Sequence, residues 1–411
     1  MVIDTGGRHM SLQELLPRLQ RQQAAKLDVV ASAASVRARD GMIEVFGVTP
    51  VVDERGVTVV DGLYQPTAAA DGQIADKLAI PVRYLRRMRD SDRLDLYDVN
   101  VNGWLHGPAG TELLEPDERS FLLRLFTSGT PHEPGVLRAM VSARYSIIDN
   151  LDVLTAVLDG IRDAGAEVEI RGCDLTDSTM HCKVYSPQMS ALAPRFLAGY
   201  RSAFANPDLE AERRRVAGDL DRWRPVAARE GQGYALGAEP VVFAGFRFSN
   251  DETGHHAVRL TPEVVVKICG NGLTLPLFAH SHRHLGERLD TGTVGSWSQD
   301  TLRKKLAVIT AETRDRVTEW LSPEFFATRI DELEHAAGAP VAQPEKTMEV
   351  LSKRLGFSES ERAGILAHFI SGGQLTAAGV ANAVTSYSQT LPDPDRANTL
   401  DDLALQAMQL V

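Results

Sequence analysis

The chain has 411 residues, of which 43% are hydrophobic and 24% charged, so it is long enough for two or three globular domains with a sizeable core. No apolar run approaches the roughly 20 residues that span a bilayer, and no secretory signal precedes Ser11, so we expect a cytoplasmic protein without a membrane segment. The formal net charge of −11 argues against a surface that binds nucleic acid throughout, but it permits a local basic groove.

The N-terminal part of the sequence predicts a helix followed by short strands. Leucines recur at helical spacing, and Ser11 with Glu14 three residues later forms a capping-box pattern. Together these signals predict a helix over residues 11–40. Two β-rich stretches follow, over residues 43–52 and 56–63, and glycine and proline punctuate them.

Residues 71–89 predict two short helices joined by a tight turn at Ile80-Pro81. A helix-turn-helix that reads DNA has this layout, and a packed pair of helices with an ordinary solvated face is the alternative. The DNA-reading interpretation places four arginines near phosphates: Arg83, Arg86, Arg87 and Arg89. The next apolar run, residues 96–105, predicts a strand.

Residues 136–185 have the clearest pattern in the chain. The pattern indicates a strand over residues 136–142 and a helix that begins at Asn150 and ends before Gly165. Two alternating segments, 167–172 and 179–185, then predict a hairpin. This β-α-β-β order predicts one helix packed on an antiparallel or mixed sheet.

The second half of the chain predicts an insertion, two strands and a helical end. Residues 191–237 are charged and rich in Arg, Gly and Pro, which indicates a helix followed by a mobile insertion. Strand character returns over residues 240–248 and 257–260. After Trp297 the pattern is helical to the last residue, with a long amphipathic helix over residues 301–321.

These elements predict an α+β fold with a central antiparallel or mixed sheet, packed helices and a helical C-terminal region. We expect an N-terminal helix with a small β segment over residues 1–62 and an α+β core over residues 63–337. After a linker rich in Gly and Pro, residues 345–411 are expected to form an acidic helical segment. From Asp331 onward the chain has 11 Asp and Glu residues against 5 Lys and Arg residues.

Three histidines form the densest imidazole cluster in the sequence. His280, His282 and His284 alternate, so they would share one face of a strand, and imidazole nitrogens suit a transition metal. They also lie beside Arg283, so a phosphate-facing or structural role is the alternative. The sequence indicates no particular cofactor.

Three cysteines are too few for a disulfide scaffold, and we expect them to be reduced thiols. Cys269 precedes Gly-Asn-Gly, which favours a buried corner of small residues over a nucleophile or a metal ligand. Cys173 and Cys182 fall on the two strands of the predicted hairpin, where cross-strand packing accounts for them. A three-cysteine metal site is a weaker alternative, because no Cys-x-x-Cys pair is present.

The most basic stretch lies between Arg213 and Arg229, with acidic residues interleaved. A solvated helix with i, i+4 ion pairs accounts for this pattern. A groove for single-stranded nucleic acid is the alternative, because bases stack on rings while the backbone follows positive charge. The aromatic residues near this stretch are Trp223, Tyr234, Phe243, Phe246 and Phe248.

Several short segments together resemble one known family. They are residues 80–84, 100–104, 141–150, 268–273, 282–284 and 382–385. These segments are similar to the phage- and plasmid-like family known as domain of unknown function 932, over about residues 63–387. Members of that family are carried by phages, prophages and plasmids, and no settled activity comes with it. The resemblance therefore implies a function connected with nucleic acid, on the basis of the genetic elements that carry the family.

We predict a DNA-associated accessory factor of a mobile element that binds single-stranded DNA in replication or recombination. The candidate phosphate contacts are Arg144, Arg283, Lys304 and Lys305, and the candidate stacking residues are Tyr145 and Trp297. One alternative is a metal-dependent enzyme that uses the three histidines. Another is a structural or regulatory interaction module whose partner surface is the acidic C-terminal segment. A homo-oligomer is compatible with each of these hypotheses.

Overall fold

Two β-sheets with packed helices and a C-terminal group of helices form the structure, which confirms the predicted α+β class. No helix in the ranges given below is long and apolar enough to cross a membrane. The computed structural model describes residues 6–49, 51–53, 56–107, 117–130, 133–197, 200, 241–254, 258–266, 273–276, 280–282 and 299–411.

The described strands number fifteen in chain order. They are β1 (Gly7–Met10), β2 (Lys26–Ser32), β3 (Val36–Arg39), β4 (Met42–Val45), β5 (Val51–Asp53), β6 (Gly56–Thr58), β7 (Gly62–Pro66), β8 (Ser120–Phe126), β9 (Gly135–Ser142), β10 (Glu169–Leu175), β11 (Thr179–Leu192), β12 (Val241–Asp251), β13 (Val258–Val266), β14 (Leu273–Pro276) and β15 (His280–His282).

The described helices number twelve. They are α1 (Leu12–Ala25), α2 (Ala68–Lys77), α3 (Val82–Asp90), α4 (Leu94–His106), α5 (Asn150–Asp163), α6 (Pro194–Leu197), α7 (Gln299–Trp320), α8 (Pro323–Ala337), α9 (Pro344–Leu355), α10 (Glu359–Gly372), α11 (Ala377–Ser388) and α12 (Pro394–Gln409).

The seven-stranded sheet, called the larger sheet below, is antiparallel throughout. Its order is β1–β10–β11–β12–β13–β14, and β15 also pairs with β13. The six-stranded sheet, called the smaller sheet, has the order β2–β8–β9–β7–β4–β3, and only its β7–β9 pair is parallel. Strands β5 and β6 form a separate ribbon. The prediction of antiparallel or mixed sheets is therefore confirmed.

The larger sheet has one apolar and one polar face, because successive side chains on a strand point in opposite directions. On β11, Cys182 and Val184 are buried in a core with α1, α5 and α7. Lys183 lies on the opposite, polar face, where its Nζ atom contacts Asp401 of α12 at 3.1 Å. The C-terminal helices thus cover a sheet face that carries charged side chains.

The smaller sheet packs on α2, α3 and α4 through a core of its own. In α4, Tyr97, Val101 and Leu105 recur every four residues and are all buried, so they form the inner face of the helix. Because this periodicity fits a helix and not a strand, the predicted strand over residues 96–105 is wrong.

The C-terminal helices α8–α12 pack around a third core, together with α6 and the end of the larger sheet. Ser358 and Glu361 form a capping box at the start of α10. Gly356 and Gly373 end α9 and α10 in the left-handed conformation, each with φ of 71°. These local signals confirm the predicted helical character of residues 345–411.

The structure corrects two further expectations: the length of the first helix and the placement of the β-α-β-β strands in one sheet. The helix predicted over residues 11–40 ends at Ala25, because residues 26–32 form β2 and pair with β8 along their whole length. The predicted β-α-β-β unit is divided between sheets, since β9 belongs to the smaller sheet whereas β10 and β11 belong to the larger one. The hairpin of β10 and β11 is confirmed.

The expected domain boundary between residues 62 and 63 falls inside β7. This strand pairs with β4 on one side and with β9 on the other, so strands from before and after the boundary share one sheet. Residues 26–45 thus pack with residues 120–142 in the smaller sheet.

Candidate nucleic-acid interface

The stretch predicted as a helix-turn-helix forms α2 and α3 with a short turn between them. Thr67 caps α2, because its Oγ1 atom accepts a hydrogen bond from the N–H of Ala70 at 3.2 Å. Ala79 has a left-handed φ of 55° in the turn, and the N–H of Ile80 donates to the carbonyl of Ala75 at 2.8 Å. Pro81 is the N-cap residue, and α3 begins at Val82.

Arg89 fixes α3 against its neighbours. Its Nε and Nη2 atoms donate to the two carboxylate oxygens of Asp71 at 2.7 and 2.9 Å, and its Nη1 atom donates to the carbonyl of Gly41 at 2.8 Å. The hydroxyl of Tyr97 also donates to Asp71, at 2.8 Å. Although burial works against the charge, this pairing raises the pKa of Arg89. Arg89 is therefore a structural anchor whose guanidinium is already paired within the protein.

The other three arginines of α3 lie on the outside of the helix. Leu85 and Met88 are buried beneath α3, whereas Arg83, Arg86 and Arg87 are exposed. None of the three forms an ion pair with a carboxylate in the part of the chain that the structure describes. They therefore carry three cationic groups that face solvent on a helix held in place by Arg89.

Two aromatic rings accompany these arginines. Tyr84 on α3 is 47% exposed and Trp104 on α4 is 48% exposed. Within the described ranges they are the exposed aromatic side chains. Asn100 of α4 contacts Met88 of α3, with 3.7 Å between Nδ2 and Sδ. Tyr84 lies one helical turn before Met88, and Trp104 lies one turn after Asn100. Both rings are therefore at the helix ends that lie away from the turn between α3 and α4.

We call this set the α3–α4 surface; it consists of Arg83, Tyr84, Arg86, Arg87 and Trp104. It combines cations that have no carboxylate partner among the described residues with exposed rings, and single-stranded nucleic acid binds to these two components. The helix-turn-helix pattern indicated the arginines from sequence. The exposure of Tyr84 and Trp104 became visible only in the folded chain, because apolar residues are usually buried.

The residues predicted as nucleic-acid contacts are only partly brought together. Arg144 is exposed in the turn after β9, and Lys305 of α7 approaches the same turn, with 2.7 Å from its Nζ atom to the Oγ atom of Ser146. Burial lowers the pKa of Lys305. Lys304 instead pairs with Asp300 in its own helix at 2.7 Å. Arg283 and Trp297 lie outside the described residues.

Tyr145 is placed differently from the prediction. Its ring is 8% exposed, and its hydroxyl donates to the carbonyl of Asp251 at 3.1 Å. Burial raises the pKa of this hydroxyl. Tyr145 joins β9 to the end of β12, and this placement corrects the expectation that its ring stacks on bases.

The basic stretch between Arg213 and Arg229 lies outside the described residues, as do Trp223 and Tyr234. The aromatic residues after it are described and are buried in β12. Phe246 and Phe248 lie in the core with α5 and α7, and Phe243 packs on Tyr185, with 5.9 Å between the ring centroids. These three phenylalanines are therefore not open to stacking by bases.

The candidate metal ligands are only partly within the described residues. His280 and His282 belong to β15, where their backbones pair with Leu260 and Val258, and His284 and Cys269 lie outside. In the described ranges, no group of three or more His, Cys, Asp or Glu side chains could hold a metal ion. The metal site at the three histidines stays a prediction.

Cys173 and Cys182 are direct partners across the β10–β11 hairpin, and both are buried free thiols. Burial raises the pKa of Cys182, which keeps its thiol protonated. The interpretation as cross-strand packing therefore fits both cysteines.

A buried charged cluster at the junction of the two sheets was missed by sequence reasoning. Arg124 is fully buried in β8, where its guanidinium pairs with Asp149 and with Asp28 at 3.2 Å and donates to the carbonyl of Glu252 at 2.6 Å. Although burial opposes ionisation, Arg124 holds the pKa of Asp149 well below its usual range. Arg138 pairs with Glu252 in the same cluster.

Opposite charges balance within this junction cluster. Three cations face three carboxylates: Lys26, Arg124 and Arg138 against Asp28, Asp149 and Glu252. The N–H of Asn150 at the start of α5 donates to Glu252 at 2.5 Å, so the cluster also fixes this helix. Because its opposite charges pair with one another inside the protein, the cluster joins the two sheets.

In comparisons with known proteins, no family model, no curated protein and no solved structure matches the chain.

Proposed function

We propose that this protein is a DNA-associated factor that binds single-stranded DNA through the α3–α4 surface. The observation that carries the proposal is the combination of three solvent-facing arginines with two exposed aromatic rings on one pair of helices. Arginines without a carboxylate partner attract phosphates, and exposed rings offer faces on which unpaired bases stack.

Single strands fit this surface better than duplex DNA does. In a duplex the faces of the bases are already stacked on one another, so exposed rings gain nothing unless the strands separate. Base–aromatic stacking contributes about 1–3 kcal/mol per base, and each arginine adds a salt-sensitive phosphate contact. Asp90 ends α3 and Asp92 follows it, and both would repel a second phosphate backbone.

The overall charge and the family resemblance are consistent with this proposal. With a net charge of −11, attraction to DNA has to come from a local cluster, and α3 supplies one. The resemblance to a phage- and plasmid-like family supports a role in the replication or recombination of a mobile element.

Fluorescence anisotropy with labelled single-stranded and duplex oligonucleotides tests the proposal. We expect salt-sensitive binding that prefers the single strand. Three phosphate contacts predict that log affinity falls with log salt with a slope of about −2. Absence of binding at low salt, or a preference for duplex, would overturn the proposal.

A matched pair of triple variants locates the site. Replacing Arg83, Arg86 and Arg87 by Gln should flatten the salt slope and weaken binding at least tenfold. The control replaces three α7 arginines that form local ion pairs by Gln, which changes the net charge equally: Arg303, Arg314 and Arg316. Equal losses in both variants would mean that net charge matters and the α3–α4 surface does not.

A further inference from the structure

A cavity of about 280 Å³ lies between the polar face of the larger sheet and the C-terminal helices. Strands β1, β10, β11 and β13 form one wall, and the end of α11 with α12 forms the other. The volume is just below the roughly 300–1,000 Å³ that small-molecule sites occupy in proteins. The cavity shares no residue with the α3–α4 surface.

A β-bulge brings Arg171 to this cavity. Ile170 pairs with Val184 and Gly172 pairs with Lys183, so Arg171 is an extra residue in β10. Bulges are frequent beside binding sites, where they re-aim a side chain. Arg171 and Lys183 both line the cavity as a result.

A second irregularity brings Arg8 and His9 to the same cavity. Gly7 and Met10 of β1 pair with two residues of β10 that are only two positions apart, so β1 also has an extra residue. His9 has a left-handed φ of 52° within this irregularity. The neighbouring strands β1 and β10 thus both depart from regular pairing at the residues that line this cavity.

Arg8 and Gln389 line the cavity, and each also has a buried polar atom. The Nε atom of Arg8 and the Oε1 atom of Gln389 are buried, and neither has a hydrogen-bond partner in the described part of the chain. Another atom of Arg8, Nη2, donates to the carbonyl of Ser388 at 3.3 Å. This hydrogen bond holds Arg8 against the end of α11, where it lines the cavity.

Carboxylates in the wall are partly paired with the protein. Asp174 accepts the N–H of His9 at 2.8 Å, and Asp401 accepts from Lys183 at 3.1 Å and from the hydroxyl of Ser388 at 2.5 Å. Carboxylate oxygens have several acceptor positions, so both groups can also accept from ligand hydroxyls. Cationic side chains outnumber the carboxylates in the wall, which favours a ligand with negative charge.

We propose that this cavity binds a small phosphate monoester that carries hydroxyl groups, such as a sugar phosphate. Arg8 and Arg171 contact the phosphate, since guanidinium groups match phosphate oxygens in geometry and charge. Asp174 and Asp401 accept from the hydroxyl groups of the ligand. The small volume limits the ligand to about one sugar with its phosphate.

Isothermal titration calorimetry of the full chain tests this assignment with three probes: inorganic phosphate, ribose 5-phosphate and ribose. We expect ribose 5-phosphate to bind at least tenfold more tightly than inorganic phosphate, and ribose to show no binding. Absence of binding by every probe would overturn the proposal. Equal affinity for ribose 5-phosphate and inorganic phosphate would also overturn it, because the hydroxyl groups would then contribute nothing.

Two variants place the ligand in the cavity. Arg171→Met removes a cation and should weaken ribose 5-phosphate binding at least tenfold. Gly172→Val should also weaken ribose 5-phosphate binding at least tenfold. A Cβ atom at Gly172 meets no other atom within 4 Å in the described structure, so the valine side chain would fill part of the cavity. Binding by Gly172→Val with wild-type affinity would overturn the proposal.

Gly172→Val keeps the test decisive if Arg171→Met fails to fold, since Arg171 also packs on the ring of Tyr185, 5.7 Å from its centroid. Arg162→Met, on the exposed side of α5, is the control for loss of one positive charge. This control should bind ribose 5-phosphate with wild-type affinity, and a tenfold loss in it would assign the effect to net charge and overturn the proposal.

Discussion

The Nε atom of Arg247 lies 3.5 Å from the Oε1 atom of Glu263, and both side chains are buried between the larger sheet and α12. Arg247 also donates to Asn398 of α12 at 2.7 Å and pairs with Asp402. Glu263 accepts no hydrogen bond from any described residue. Burial consequently raises the pKa of Glu263 to about 7, and the attraction of Arg247 and Lys183 only partly offsets it.

This raised pKa predicts that the protein loses stability as the pH rises towards neutrality. The folded protein binds the Glu263 proton more tightly than the unfolded chain, in which the ordinary pKa is 4.5. The contribution of Glu263 is therefore fully present below pH 4.5 and is lost as the pH rises through 7. The size of the loss is on the order of 3 kcal/mol in the free energy of unfolding.

Urea unfolding at pH 5 and pH 8 measures this loss, with Glu263→Gln as the matched variant. Gln is neutral at both pH values. The free energy of unfolding should therefore fall less between pH 5 and pH 8 in the variant than in the wild type, and the difference is the contribution of Glu263. Asp152, whose pKa burial raises to about 6, titrates in the same range and stays unchanged in both proteins. An identical pH dependence in the two proteins would contradict the prediction.

Removing Arg124 should destabilise the fold strongly. Arg124→Met leaves Asp28 and Asp149 buried without their main partner, and breaking such a pair typically costs about 3–5 kcal/mol. Arg162→Met is the control, because Arg162 pairs with Asp159 at the surface, where ion pairs contribute about 0–1 kcal/mol. Urea unfolding at pH 7 compares the two. Similar losses in both variants would show that burial of Arg124 has little energetic effect.

Two glycines in helix interiors should respond in opposite directions to alanine. At Gly160 of α5, a Cβ atom would lie 2.6 Å from the carbonyl oxygen of Thr310 in α7, so Gly160→Ala should cost about 1–3 kcal/mol. At Gly103 of α4, a Cβ atom meets nothing within 4 Å of the described structure, and Gly103→Ala should stabilise by about 0.5–1 kcal/mol. Thermal unfolding checks both. A stabilising effect of Gly160→Ala would contradict the close packing of α5 on α7.

The aromatic rings of the α3–α4 surface should contribute affinity without salt dependence. Tyr84→Leu and Trp104→Leu each remove one stacking face, with an expected loss of about 1–3 kcal/mol in the free energy of binding to single-stranded DNA. The slope of log affinity against log salt should stay unchanged, because no phosphate contact is lost. Anisotropy titrations at several salt concentrations measure both quantities. Leu96→Ala, an exposed apolar change on the same helix as Trp104, should leave binding unchanged.

Local signals in the sequence were sufficient for several elements. The hairpin of β10 and β11 follows from alternating residues on either side of a short turn, and both are short-range properties of the chain. The end of α5 was predicted from Gly165, which has the expected left-handed φ of 65°. The capping box at Ser11 likewise fixes the start of α1 within three residues of sequence.

Other features depend on partners distant in sequence, and only the tertiary structure decided them. Residues 26–32 become β2 because β8 pairs with them from nearly a hundred positions away. The guanidinium of Arg89 pairs with Asp71, and the hydroxyl of Tyr145 donates to the carbonyl of Asp251. Neither contact can be predicted from composition. The sequence by itself therefore determined the α+β class and the positions of the arginines on α3. Tertiary packing decided which charged and aromatic side chains face solvent, because burial and ion pairing depend on contacts that no local pattern encodes.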